Sequence, residues 1–123
     1  MIRARRRIAG LALMLAACAP GPSFEIAPLL SVRQEGKEVT LTGWVQTEGP
    51  FRLYPLEADI GKSGDKSCIS GVLTSLAGVP PPTLNHKRMT VMGKLYPAGA
   101  RDAANVKDEC GNGIVLMVTD LSR

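Results

Sequence analysis

Three cysteines, a single histidine and two sets of loop carboxylates are the side chains through which this 123-residue chain could do chemistry. Cys68 and Cys110 lack the Cys-x-x-Cys spacing of redox and zinc sites, and no cluster of histidines accompanies them. His86 sits beside Lys87 and Arg88, where a surface position is expected. Glu57, Asp59 and Asp65 form one acidic set, and Asp102, Asp108 and Glu109 form another. Either could hold a calcium ion, but neither follows the EF-hand spacing, so both read as solvated loop charge. Met89, Met92 and Met117 fall on strand-like segments and read as core filling rather than soft-metal ligands. There is no nucleophile elbow and no phosphate-binding loop. The expectation is a protein that is not an enzyme, with no catalytic residue, no metal and no cofactor.

The third cysteine, Cys18, has a different setting. Met1 to Arg7 carries four arginines, Ile8 to Ala17 is an almost unbroken apolar run, and Ala16 and Ala17 are small enough for a peptidase to reach the next bond. The run holds about ten residues where a membrane-spanning helix needs roughly twenty, so it reads as the core of an export signal. Leu15-Ala16-Ala17-Cys18 resembles the lipobox of bacterial lipoproteins. That resemblance implies diacylglycerol on the Cys18 thiol, cleavage before Cys18 and acylation of the new amino group. An uncleaved apolar segment with an ordinary cysteine is the competing reading. Arg5-Arg6-Arg7 fits n-region charge in general secretion better than a twin-arginine signal. Ala19 stands where an aspartate would retain a lipoprotein at the inner membrane. By the family's rule this implies the outer membrane, facing the periplasm, if the cell is Gram-negative.

Removing residues 1–17 changes what the composition means. The whole chain has 15 Lys+Arg against 11 Asp+Glu, but Arg3, Arg5, Arg6 and Arg7 leave with the signal. The mature protein is then formally neutral, and the basic footprint of a nucleic-acid binder disappears. The same step leaves Cys68 and Cys110 as an even pair in an oxidising compartment, so the lipoprotein resemblance implies a disulfide between them. Closing a loop of about forty residues is worth roughly 4 kcal/mol in the chain-entropy account, against a total margin of about 5 to 15 kcal/mol for a domain of this size.

The elements that would carry these residues can be read along the chain. Ala19 to Ser23, with Pro20 and Pro22, reads as a tether, and Glu25 to Gln34 as a short helical turn or a strap onto the domain, with Pro28 limiting any helix. Lys37 to Val45 alternates as a half-buried strand does, and Gly43 within it suggests a bulge or sharp bend. A turn at Glu48-Gly49-Pro50 precedes a second strand at Phe51 to Tyr54, ended by Pro55. Cys68 to Leu73 is a third strand, Thr74 to Ala77 has room for one helical turn, and Pro80-Pro81-Pro82 breaks the chain. Arg88 to Tyr96, with Gly93 inside it, is a fourth strand, Pro97 to Gly113 a long polar connection, and the continuously apolar Ile114 to Leu121 a central fifth strand. The expected organisation is a signal peptide at 1–17, a lipidated tether at 18–34 and one all-β domain at 35–123.

Gly36-Lys37-Glu38-Val39-Thr40-Leu41-Thr42-Gly43-Trp44-Val45 and Lys87-Arg88-Met89-Thr90-Val91-Met92-Gly93-Lys94-Leu95 each join a charged lead-in, an alternating strand and a glycine. This pattern resembles the OB-fold, a small five-stranded Greek-key barrel, in its anticodon-binding-like branch. A β-sandwich or a lipocalin-like meander is the alternative. The OB resemblance implies binding along strands two and three, bounded by the loops Gln46 to Pro50 and Ala98 to Gly113, and it points to Trp44, Arg52 and Tyr54. An outward Trp44 could stack on a ligand beside Arg52 and Tyr54, whereas a bulge at Gly43 would turn it into the core. Single-strand nucleic-acid binders need a positive groove and several stacking aromatics, which this neutral domain does not offer. The expected function is that of a membrane-anchored periplasmic lipoprotein acting as a non-catalytic binding or adaptor module, with an envelope protein or glycan as partner. An inhibitor or ligand-binding module and a structural accessory of an envelope complex are the alternatives.

Overall fold

A computed structural model describes residues 21–30, 35–64, 66–73 and 84–123. The lipobox with Cys18, the expected turn at Thr74 to Ala77 and Asp65 lie outside the described residues. Five strands form the framework: β1 (Lys37–Gln46), β2 (Phe51–Tyr54), β3 (Ile69–Leu73), β4 (Arg88–Pro97) and β5 (Ile114–Ser122). They close into a barrel in the order β1-β2-β3-β5-β4. All neighbouring pairs are antiparallel except β3 and β5, which are parallel. A meander pairs consecutive strands antiparallel throughout, so the parallel pair excludes it. The architecture is a closed, OB-fold-like barrel with almost no helix.

The long first strand serves both halves of this barrel. From Lys37 to Trp44 it pairs with β4, and from Trp44 to Gln46 it pairs with β2. The exchange of partners happens at Gly43 and Trp44, and no register shift marks Gly43. The glycine is needed for a close approach: a Cβ there would lie 2.6 Å from the Tyr54 carbonyl oxygen and 3.0 Å from the Phe24 ring. The register shift lies instead between β4 and β5, where the consecutive Met92 and Gly93 pair with Asp120 and Val118 and leave Thr119 of β5 as the extra residue; a Gly93 Cβ there would collide with the Met117 carbonyl. The unbroken alternation of β4 leaves Met92 outward and 44% exposed, so this methionine is not core filling. Met89 is buried inside the barrel, while Met117 is half-buried on its outer side.

Alternation sets the core. Leu41, Val45, Phe51, Leu53, Ile69, Met89, Val91, Leu95, Ile114, Leu116 and Val118 fill the interior. Two smaller clusters lie outside the sheet. One joins Tyr54 to the Cys68–Cys110 disulfide, flanked by Trp44 and Ile60. The other packs Ala103 and Val106 of the β4–β5 connection on Val115, beside Val72, Tyr96 and Met117. That connection is therefore only partly the polar loop its composition suggests. It carries a 3-10 turn at Arg101–Ala103 and a buried apolar face.

The segment before β1 folds back as a strap. The backbone N–H and the hydroxyl of Ser23 both donate to the Pro55 carbonyl, at 2.8 and 3.1 Å. Phe24, Ile26 and Leu29 pack on the core, the last from a single helical turn, α1 (Ala27–Leu30). Four residues, Ala19, Pro20, Gly21 and Pro22, lie between Cys18 and the first pinned position, Ser23.

Candidate functional site

Register brings the three residues expected to bind a ligand onto one outer face. Trp44 is paired with Tyr54, and Gln46 with Arg52, while Val45 and Leu53 between them point into the core. Trp44 is thus outward and half-buried, with the Arg88 guanidinium 5.6 Å from its ring centroid, a cation–π distance. Arg52 is also half-buried; its Nη1 donates to the Tyr54 hydroxyl at 3.3 Å, and its buried Nε has no partner among the described residues.

Tyr54 does not face solvent. Its exposure is 0%, and its hydroxyl lies 2.9 Å from the Lys62 carbonyl, to which it donates. The cause is the segment between β2 and β3, which folds over this face. Gly64 N–H donates to the Glu109 carbonyl and Lys66 N–H to the Cys110 carbonyl, and the disulfide fastens the fold with Cα atoms 5.4 Å apart. Cys110 N–H donates to the buried Ser70 hydroxyl, and the Asn112 amide donates to the Cys68 carbonyl. Tyr54 is consequently the floor of an outer core and not a stacking platform. Trp44, Arg52 and Tyr54 do not form an open site together.

A groove of about 420 Å³ opens at the other end of β2. Thr47, Gly49 and Pro50 of the β1–β2 loop form one wall, Asn105, Val106 and Lys107 of the β4–β5 connection form the other, and Phe51 with Gly71, Val72 and Leu73 makes the floor. Both loops had been expected from the OB resemblance. The floor lies on strands two and three, as that resemblance also implies, but not on Trp44, Arg52 or Tyr54: it comes from Phe51 and the C-terminal end of β3, which runs past the start of β2, since Phe51 pairs with Gly71 and leaves Val72 and Leu73 beyond the last pair. Gly49, at φ 68°, makes the tight turn of the first wall. On the second, Val106 is held down against Val115.

No protein-family model, curated protein or solved structure matches this chain. The reading of the groove therefore rests on its own chemistry. Lys107 is the only ionisable side chain among the described residues that line it. A proton-transfer pair would need a second titratable group in reach, and a metal would need several oxygen, nitrogen or sulfur donors. Among the described residues no group of three or more His, Cys, Asp or Glu side chains stands close enough to hold a metal ion. Asp108 is engaged locally, its two carboxylate oxygens accepting from Gly111 N–H at 2.9 Å and Gly113 N–H at 2.8 Å. Shape, an apolar floor and one ammonium group are what the described lining offers a ligand.

Proposed function

We propose that this chain is a lipid-anchored lipoprotein of the bacterial envelope whose barrel binds a partner protein without catalysis, as an adaptor at the outer membrane facing the periplasm. The groove between the β1–β2 loop and the β4–β5 connection is the observation that carries the binding half of this reading. Its volume falls in the range of about 300 to 1,000 Å³ typical of ligand sites. An extended peptide fits its composition better than a glycan does, because among the described residues the lining offers no exposed aromatic ring on which a sugar could stack: Phe51, the one aromatic among them, is buried. The lipobox and the Cys68–Cys110 disulfide support the location, since such bonds persist outside the reducing cytosol.

Photo-crosslinking in intact cells tests the binding half. A photoreactive residue at Val72 or Asn105 is expected to trap a discrete adduct, and one at the exposed Thr119 is not. Introducing Lys107→Glu alongside the probe should reduce that adduct. Equal labelling from all three positions, or none from the groove, would remove it as the binding site.

A further inference from the structure

We propose that the barrel surface around Trp44, Leu56 and Arg88 lies against the phospholipid headgroups of the membrane in which Cys18 is anchored. The inference rests on the lipid-anchor reading and adds an orientation to it.

Chain length is the first argument. Ser23 is fastened to the end of β2 by two hydrogen bonds to the Pro55 carbonyl, and the neighbouring Phe24 is wedged beside Gly43 and Leu53. Five residue steps separate Ser23 from Cys18. Fully extended, they span at most about 18 Å. What composition suggests is a spacer is thus a short leash, and the Pro55 end of the barrel is held within that distance of the lipid.

The residues at that end have the right chemistry. Gly21, Trp44, Leu56, Glu57 and Ala58 line a depression of about 340 Å³ where the strap meets the barrel. The indole of Trp44 is half-buried, and the exposed Arg88 guanidinium stands over it. Tryptophan settles at the level of the headgroups, and arginine keeps its charge at the phosphates while its stem covers apolar surface. Lys66 is exposed in the adjoining hollow with Pro22 and Leu56, and Lys87 is exposed next to Arg88. Three carboxylates share this rim, Glu25, Glu57 and Asp59, and Asp59 is bridged to Lys62 at 3.1 Å, so Lys66, Lys87 and Arg88 balance the acidic charge rather than exceed it.

The orientation also fits the groove. β2 runs from Phe51 at the groove to Tyr54, with the strap pinned at Pro55. Four strand residues cover about 13 Å. Seating the Pro55 end on the membrane leaves the groove on the aqueous side, open to a periplasmic partner.

Trp44 is the single tryptophan of the chain, so its emission reports this surface without any substitution. The lipidated protein, its acylation at Cys18 verified by mass, is reconstituted in phosphatidylcholine vesicles with or without nitroxide-labelled headgroups. Emission is expected to fall at least about twofold in the labelled vesicles, as for an indole at headgroup depth. It should stay constant when labelled vesicles are merely mixed with protein-bearing unlabelled ones, and Arg88→Glu should lessen the loss. Acylated protein whose emission is unchanged, or whose loss Arg88→Glu leaves undiminished, overturns the orientation while the anchor stands. Protein found without acyl chains overturns the anchor, and the orientation with it.

Discussion

Tyr54 shows how an outward position in a small barrel can still be a core position. Its place opposite Trp44 puts it outside the sheet, yet the disulfide and the β2–β3 segment bury it completely. The alternation of β2 gives the side of the sheet and nothing more. Whether that side is wet depends on a segment that reaches it only through Cys68 and Cys110, 42 residues apart, and no local pattern reports such a cover. The hydroxyl has a structural task, donating to Lys62 O and accepting from Arg52 Nη1. Tyr54→Phe should therefore cost about 1 to 2 kcal/mol of stability, the usual worth of a buried hydrogen-bonded hydroxyl, while crosslinking from Val72 stays as it was. Urea unfolding of the variant and the parent measures the first part. An unchanged midpoint would show that the hydroxyl contributes nothing there.

Strands were the most legible elements. Each of the five begins and ends within one or two residues of where alternation, glycines and prolines place it, because these signals are local. The glycines of β1 and β4 were readable as special, although only packing distinguishes their uses: Gly43 admits the Tyr54 backbone and the strap, and Gly93 sits at the register shift between β4 and β5. Less legible was the β4–β5 connection, whose polar composition hides the way Ala103 and Val106 dock on Val115 and form a groove wall. The clasp between that connection and the start of β3 is the disulfide. Replacing both Cys68 and Cys110 by serine should destabilise the domain by roughly 4 kcal/mol through the regained freedom of the unfolded chain, and should free the segment that covers Tyr54. Thermal unfolding together with limited proteolysis between β2 and β3 checks both effects. A double variant with the parent's melting temperature and resistance would contradict the clasp.

At the scale of the whole molecule, the proposed function gives one end of the barrel to the lipid and the other to a partner. The strap carries the first assignment, for Ser23, Phe24, Ile26 and Leu29 bind the chain to the barrel only a few residues after Cys18 in the sequence. The groove carries the second. Neither feature is enough without export and acylation: a neutral barrel freed in the cytosol would have no membrane to lean on and a reducing environment around its disulfide. The mass and amino-terminal sequence of the protein isolated from its native membranes test this most directly. A chain that begins at Cys18, with diacylglycerol on the thiol and a fatty acyl group on the amine, is the predicted result. A chain that retains Met1, or a mature terminus with no acyl group, would contradict it.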